Sequence, residues 1–283
     1  MPLAPLRDVL GRAATGLLDL TMPTGCAGCG VAGVGWCAGC AAVLERARPR
    51  FWTPTPCPDG MPPTWSALPY EGAVRRALVE WKDGGRRDLT PVLGSVLGRT
   101  LGLAVQTDER LGRSHVGPVV LVPAPSSGAA TRRRGDHPMA LLAKTCLTHH
   151  HGAPLVVHSA LQVRRRVADQ ARLGQADRAA NLAGAIRVQP RLRSTVQGAC
   201  CVVLDDVVTT GSTLAEAARC LRQEGAQHVV AVTIAATRRR LVQTSGGDCS
   251  DQTWATSVTS WDDPPAASPP PAGGNEPVAG HGR

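Results

Sequence analysis

Two adjacent carboxylates, Asp205 and Asp206, end the apolar run Cys201–Leu204, and Thr209, Thr210, Gly211, Ser212 and Thr213 follow before a helix-periodic stretch begins. Carboxylates accept strongly from sugar hydroxyls and orient magnesium through its water shell. A hydroxyl-rich turn where a strand passes into a helix offers a phosphate free backbone N–H groups and the positive end of the helix dipole. Gly211 allows close approach of the backbone, and Ser212 or Thr213 is the expected N-cap. The turn therefore reads as a phosphate cradle, and the acids as partners of a sugar diol or a cation. One ligand suits both halves: phosphoribosyl pyrophosphate, with its 5'-phosphate, its ribose diol and a pyrophosphate that carries Mg2+. A turn that merely caps a helix needs no paired acids, and no Walker A pattern competes for the phosphate.

A second constellation lies near the N-terminus. In "CAGCGVAGVGWCAGC" the residues Cys26, Cys29, Cys37 and Cys40 form two C-x2-C knuckles seven residues apart. Each knuckle turns two thiolates towards one ion, and two knuckles complete a tetrahedral Zn2+ site with no open position, which makes the metal structural. The formal GxGxxG inside this stretch follows no strand, and the cysteines account for its glycines.

The elements that must position these residues alternate. "AVRRALVEW", "LTPVLGSVLGRTLGLAV", "MALLAKTCLTHH" and "STLAEAARCLRQEG" have helical periodicity, whereas "PVVLVPAP", "PLVVHSAL", "ACCVVL" and "HVVAVTIAA" read as buried strands. Alternation of this kind argues for an α/β fold with a parallel sheet flanked by helices. The expected organisation is an N-terminal helix over residues 1–22, a zinc-knuckle module over 23–48 and a proline-rich connection over 49–69. The main domain follows over 70–240, and a tail over 241–283 is disordered by composition.

The 283 residues, 43% of them hydrophobic, suffice to bury a core, and the formal charge is +9. Residues 243–283 hold five acids against one arginine, so the first 242 residues carry +13. Only Lys82 and Lys144 are lysines among 31 basic residues, and this arginine excess favours bidentate contacts to phosphate. Charged residues interrupt the N-terminal stretch, so it contains no signal-peptide core, and no apolar run is long enough to span a membrane. A cytoplasmic location is expected, where cysteines stay reduced.

The stretch "VVLDDVVTTGSTL" resembles the phosphoribosyl-pyrophosphate signature of type I phosphoribosyltransferases. With the cysteine module ahead of it, the chain resembles the ComF family of competence-associated proteins. "YEGAVRRALVEWKDGG", "LVPAPSSGAATRRRGDHPMALLA" and "RRRVADQARLGQADRAANLAGA" are similar to further family segments, the last through Gln170, Arg178 and Asn181. The resemblance implies a type I phosphoribosyltransferase fold with a small N-terminal zinc-binding module. It also implies ribose contacts from Asp205 and Asp206, 5'-phosphate contacts from Thr209 to Thr213, and a pyrophosphate loop including Pro123 and Ser126 with Arg134 nearby. The segment Arg164 to Asn181 would form a mobile hood. Many relatives have "RGFNQ" where this chain has Arg134, Gly135, Asp136, His137 and Pro138, which removes an aromatic ring and an amide from the acceptor region.

Two functions follow from this reading. The first is an enzyme in which an acceptor displaces pyrophosphate from carbon 1 of the ribose; such catalysis is mainly positioning and electrostatics and needs no dedicated nucleophile. The second is a module that handles single-stranded DNA alongside other competence proteins, gripping phosphates through arginines 132–134 and 164–166. No aromatic residue lies between Lys82 and Val242, so any base must stack on Trp36, Trp52, Trp65, Tyr70 or Trp81 unless these rings fill the joint between module and domain.

Overall fold

The computed structural model describes residues 25–112, 118–125, 137–148, 154–163 and 184–237. The expected N-terminal helix, Ser126, Arg134, the Arg164 to Asn181 segment and the tail lie outside the described residues. In chain order the elements are α1 (Ala38–Glu45), β1 (Arg50–Phe51), β2 (Thr64–Pro69), α2 (Gly72–Lys82), α3 (Thr90–Thr107), α4 (Glu109–Gly112), β3 (Val119–Pro123) and α5 (Pro138–Leu147). They continue with β4 (Leu155–Val157), β5 (Leu161–Val163), β6 (Ile186–Val188), α6 (Arg193–Val196), β7 (Cys200–Val208), α7 (Ser212–Gln223) and β8 (His228–Ala236).

Six strands form one sheet in the order β1-β2-β8-β7-β3-β4, parallel throughout except for the antiparallel edge pair β1 and β2. The α/β class with a mostly parallel sheet is thus as the alternation of patterns implies. Strands β3, β7 and β8 are almost continuously apolar because helices cover both faces of the sheet. Along β7 the side chains alternate between two cores: Val202 and Leu204 join the cluster under α2, α3 and α5, while Cys201 and Val203 join the one under α7.

Two local readings differ from the structure. "PLVVHSAL" is not one strand: β4 ends at Val157, the chain turns, and β5 leaves the main sheet to pair antiparallel with β6. The stretch 49–69, read as a connection, supplies β1 and β2, and β2 pairs with β8 from Thr64↔Ala231 to Pro69↔Ala236. Pro62 and Pro63 precede the strand and Pro69 is its last residue, positions where a missing N–H costs the ladder little. Eight described cysteines are free thiols, whereas Cys57 is disulfide-bonded, a departure from the expectation that all stay reduced.

At the edge of the sheet where β8 begins, His228 Nε2 lies 2.8 Å from Asp108 Oδ2, and Asp108 Oδ1 accepts from the N–H groups of Arg110 and Leu111. Burial alone would raise the Asp108 carboxyl, but the hydrogen bond and charge of His228 and the two amides outweigh it and hold the group below its usual range.

Candidate functional site

Strand β7 runs four residues beyond the apolar stretch that announces it, so Asp205 and Asp206 lie within the strand near its carboxyl end. Asp205 pairs in register with Thr233 of β8, and on the other side Pro123 of β3 stands opposite Leu204. The N–H of Ala124 donates to the carbonyl of Leu204 at 2.7 Å. The acid pair, Pro123 and the turn after β7 therefore share one edge of the sheet, the carboxyl edge where parallel α/β sheets open a crevice.

Both acids are buried, Asp205 at 9% and Asp206 at 4% exposure, and the N–H of Asp206 donates to Asp205 Oδ1 at 2.9 Å. Burial pushes the Asp205 carboxyl well above the usual range and the charge of Asp206 pushes it further, against the opposing charge of Lys82 and the N–H of Asp206. The Lys82 ammonium donates to both oxygens of Asp206, at 2.8 and 2.7 Å. Burial alone would lower the lysine, but Asp206 and Asp205 overcome that and hold it above its ordinary value. Lys82 enters the sequence reading only as part of a resembling segment; its scarcity, as one of two lysines, is the one local signal that marks it.

The turn departs from expectation at its cap. Gly211, not Ser212 or Thr213, is the N-cap of α7, with φ of 79° in the left-handed region that glycine favours. Ser212 opens the helix, and its hydroxyl lies 3.0 Å from Thr210 Oγ1. Gly211 has no side chain to cap the helix, and Thr210 Oγ1 instead accepts from the N–H of Ser212 at 3.4 Å, so the Thr210 and Ser212 hydroxyls stand together at the helix N-terminus. Gly211 is required on steric grounds as well, because a Cβ there would stand 2.7 Å from Met61 Sδ and 3.1 Å from Pro54 Cγ. The proline-rich stretch thus packs against the cradle.

One turn into α7, the buried Glu216 accepts from the N–H of Gly184 at 2.7 Å and is paired with Arg219 at 2.6 Å. Burial raises the Glu216 carboxyl, but Arg219 and the Gly184 amide outweigh it and lower the group. Cys220 donates to the carbonyl of Ile186 at 3.1 Å. Helix α7 is thereby pinned to β6.

The four knuckle cysteines meet as expected: the ligand atoms of Cys26, Cys29, Cys37 and Cys40 all lie within 4.8 Å of one another. Four thiolates bound tetrahedrally at about 2.3 Å from one zinc ion would stand roughly 3.8 Å apart, and Cys29 Sγ and Cys37 Sγ are 3.6 Å apart. The donor set fits Zn2+. Burial disfavours the Cys26 thiolate, yet backbone N–H donors from Cys37, Cys29 and Gly28 prevail and lower the thiol to about 6. Arg76 Nε donates to the carbonyl of Gly28, and Arg86 donates to the carbonyls of Gly25 at 3.3 Å and Gly35 at 3.0 Å. Arg99 of α3 donates to Leu44 of α1 at 2.7 Å, which completes the seam between the module and the domain.

The expected stacking rings are spent on packing. Trp52, Trp65 and Trp81 are buried, and Trp36 and Tyr70 pack against the core under α2 and α3.

Residues 156–263 match the phosphoribosyl transferase domain family, a span that includes the acid pair and the whole cradle but less than half of the chain. No curated protein sequence matches. Among solved structures, the chain is similar to the hypoxanthine phosphoribosyltransferase of Trypanosoma cruzi at 16% identity and a TM-score of 0.34, over 56% of this chain and 73% of that one. It is also similar to the phosphoribosylpyrophosphate synthetase of Mycobacterium smegmatis at 18% identity and a TM-score of 0.30, over 52% and 34% of the respective chains. Both similarities are too distant to assign an activity.

Proposed function

We propose that this chain is a phosphoribosyltransferase-type protein that binds phosphoribosyl pyrophosphate with Mg2+. The observation that carries the reading is the buried Asp205–Asp206 pair at the carboxyl end of β7, directly ahead of the glycine-capped start of α7. The acids receive the ribose hydroxyls, which donate to carboxylate oxygens. The hydroxyls and amides of Thr209, Thr210, Gly211, Ser212 and Thr213 receive the 5'-phosphate. The turn after Pro123, with Ser126 and Arg134, receives the pyrophosphate. Asp205 and Asp206 would hold Mg2+, which would supply neutralising charge to the leaving pyrophosphate. The residues of the chain hold carbon 1 of the ribose in place for an acceptor to displace that group, with no covalent protein intermediate.

Membership of the ComF family is part of the proposal. It is supported by a four-cysteine centre that precedes the phosphoribosyl transferase match and is fastened to the same domain. Burial of Trp52, Trp65 and Trp81 argues against stacking of any base on those rings, in an acceptor or in DNA, and leaves the phosphoribosyl-pyrophosphate reading untouched. Calorimetric titration of phosphoribosyl pyrophosphate with magnesium into the wild type and the Asp205→Asn, Asp206→Asn double variant tests it. Heat from the wild type alone is the expected result, and a wild type that binds nothing at high ligand concentration overturns the reading.

A further inference from the structure

We infer that Lys82 is a positioning residue of the ligand site: it is a built-in cation that fixes the Asp206 carboxylate and offsets the charge of the acid pair as the polyanion approaches. The inference rests on the function proposed above and deepens it. Two carboxylates beside a phosphate cradle repel a ligand with three phosphate groups unless a positive charge stands with them. A soluble metal ion is one source of that charge, and the chain carries another.

The contact is symmetric and built. Lys82 Nζ is 2.8 Å from one oxygen of Asp206 and 2.7 Å from the other, which fixes the plane of the carboxylate and leaves each oxygen a further lone pair. Asp206 is nearly inaccessible, with its side chain at 6% exposure, whereas the Lys82 side chain is 37% exposed, so the ammonium joins a buried carboxylate to solvent. Lysine is a compact point charge, suited to neutralising an anion without the geometric demands of a guanidinium.

The root of Lys82 is also held. It is the last residue of α2, where a cation is favoured by the helix dipole. Its neighbour Trp81 is completely buried and donates from Nε1 to Thr90 Oγ1 at 3.0 Å. Arg87 donates to the carbonyl of Trp81 and lies 5.9 Å from the centre of the indole. A surface lysine making a chance ion pair has no such anchorage. The segment that carries it lies outside the matched residues 156–263, so the site borrows this charge from the part of the chain that grips the cysteine centre.

The test is titration of phosphoribosyl pyrophosphate, with and without magnesium, into the wild type, Lys82→Met, Lys82→Gln and Lys82→Arg. Lys82→Met is expected to lose roughly ten- to a hundredfold in affinity without magnesium, the equivalent of one charge-assisted hydrogen bond, and distinctly less with saturating magnesium. Lys82→Arg should recover much of the loss. Lys82→Gln, whose neutral amide can still donate to a carboxylate, keeps the role testable should Lys82→Met not fold; its magnesium-free affinity should stay below that of the wild type, and the gap should narrow as magnesium is added. Equal loss in both conditions, or none in either, overturns the role of Lys82 while leaving the ligand assignment intact. A wild type that binds no ligand overturns both, and the two failures are distinct.

Discussion

Asp205→Asn separates the demands of stability from those of binding. Asp205 is 9% exposed beside an acid that is 4% exposed, and burial together with the charge of Asp206 raises its carboxyl well above the usual range. The unfolded chain releases that proton near pH ~3.9, while the folded protein retains it to higher pH. Between those two values the folded state holds one more proton than the unfolded state. Unfolding free energy therefore falls as pH rises, by up to about 1.4 kcal/mol per pH unit from this group. Below the unfolded value both states are protonated and the cost vanishes; above the folded value both are ionised and the cost is complete. Asparagine cannot ionise, and its Oδ1 can still accept from the N–H of Asp206, now at 2.9 Å. Urea denaturation of both proteins from about pH 4 to about pH 8 should show near-equal stability at the acid end and an increasing advantage for the variant above it. The same variant should bind phosphoribosyl pyrophosphate weakly or not at all. A stability difference independent of pH, or a variant less stable at neutral pH, would refute the assignment of a buried, proton-retaining carboxyl.

Three further outcomes are expected. Gly211→Ala places a Cβ 2.7 Å from Met61 Sδ at a φ of 79°, so it should cost at least about 1–2 kcal/mol of stability and weaken phosphate binding; an unchanged thermal midpoint would contradict the turn. Metal analysis should find one zinc per chain, and Gly28→Ala, whose Cβ would lie 2.5 Å from Cys40 Sγ, should release that zinc to a chelator sooner than the wild type does. Asp108→Asn should destabilise the protein by roughly 1–3 kcal/mol at neutral pH through loss of the His228 contact. Because the folded Asp108 carboxyl is lowered, that stability is present above the unfolded value and is lost as pH falls through the folded one; a gap that persists unchanged in acid would argue against it.

The central strands and long helices are legible because their patterns are strong. "HVVAVTIAA" coincides with β8, and the periodic stretches from residue 73 and residue 212 fall on α2 and α7. What escapes is decided by partners distant in sequence. "TWSALP" is short and flanked by prolines, so nothing local marks it as a strand, yet β8 completes its ladder. The break in "PLVVHSAL" follows from β6, whose pairing with β5 draws the chain off the sheet. The candidate site is legible because its acids and hydroxyl turn are contiguous in the chain. Its charge balance is not, since Lys82 and Asp206 are 124 residues apart and meet only after α2 has docked.

That docking links the two constellations. Helix α2 has eleven residues, a length at which an isolated helix is marginal in water, so its position must come from tertiary contacts. Val74, Ala77, Leu78 and Trp81 bury one face in the core under α3, and Arg76 on the same helix holds the carbonyl of Gly28 between the first two knuckle cysteines. Four residues beyond the helix end, Arg86 holds Gly25 and Gly35 on either side of that loop while Asp88 holds its guanidinium at 2.7 Å. The cysteine centre thus braces the helix at one point along its length and again just past its end, and the residue between those braces that faces the acid pair is Lys82. An ammonium delivered from a flexible segment would pay the entropy of ordering each time it met Asp206. Delivered from a helix braced by the four-cysteine module, it is ordered in advance, which gives that module a physical bearing on the charge that meets the acid pair.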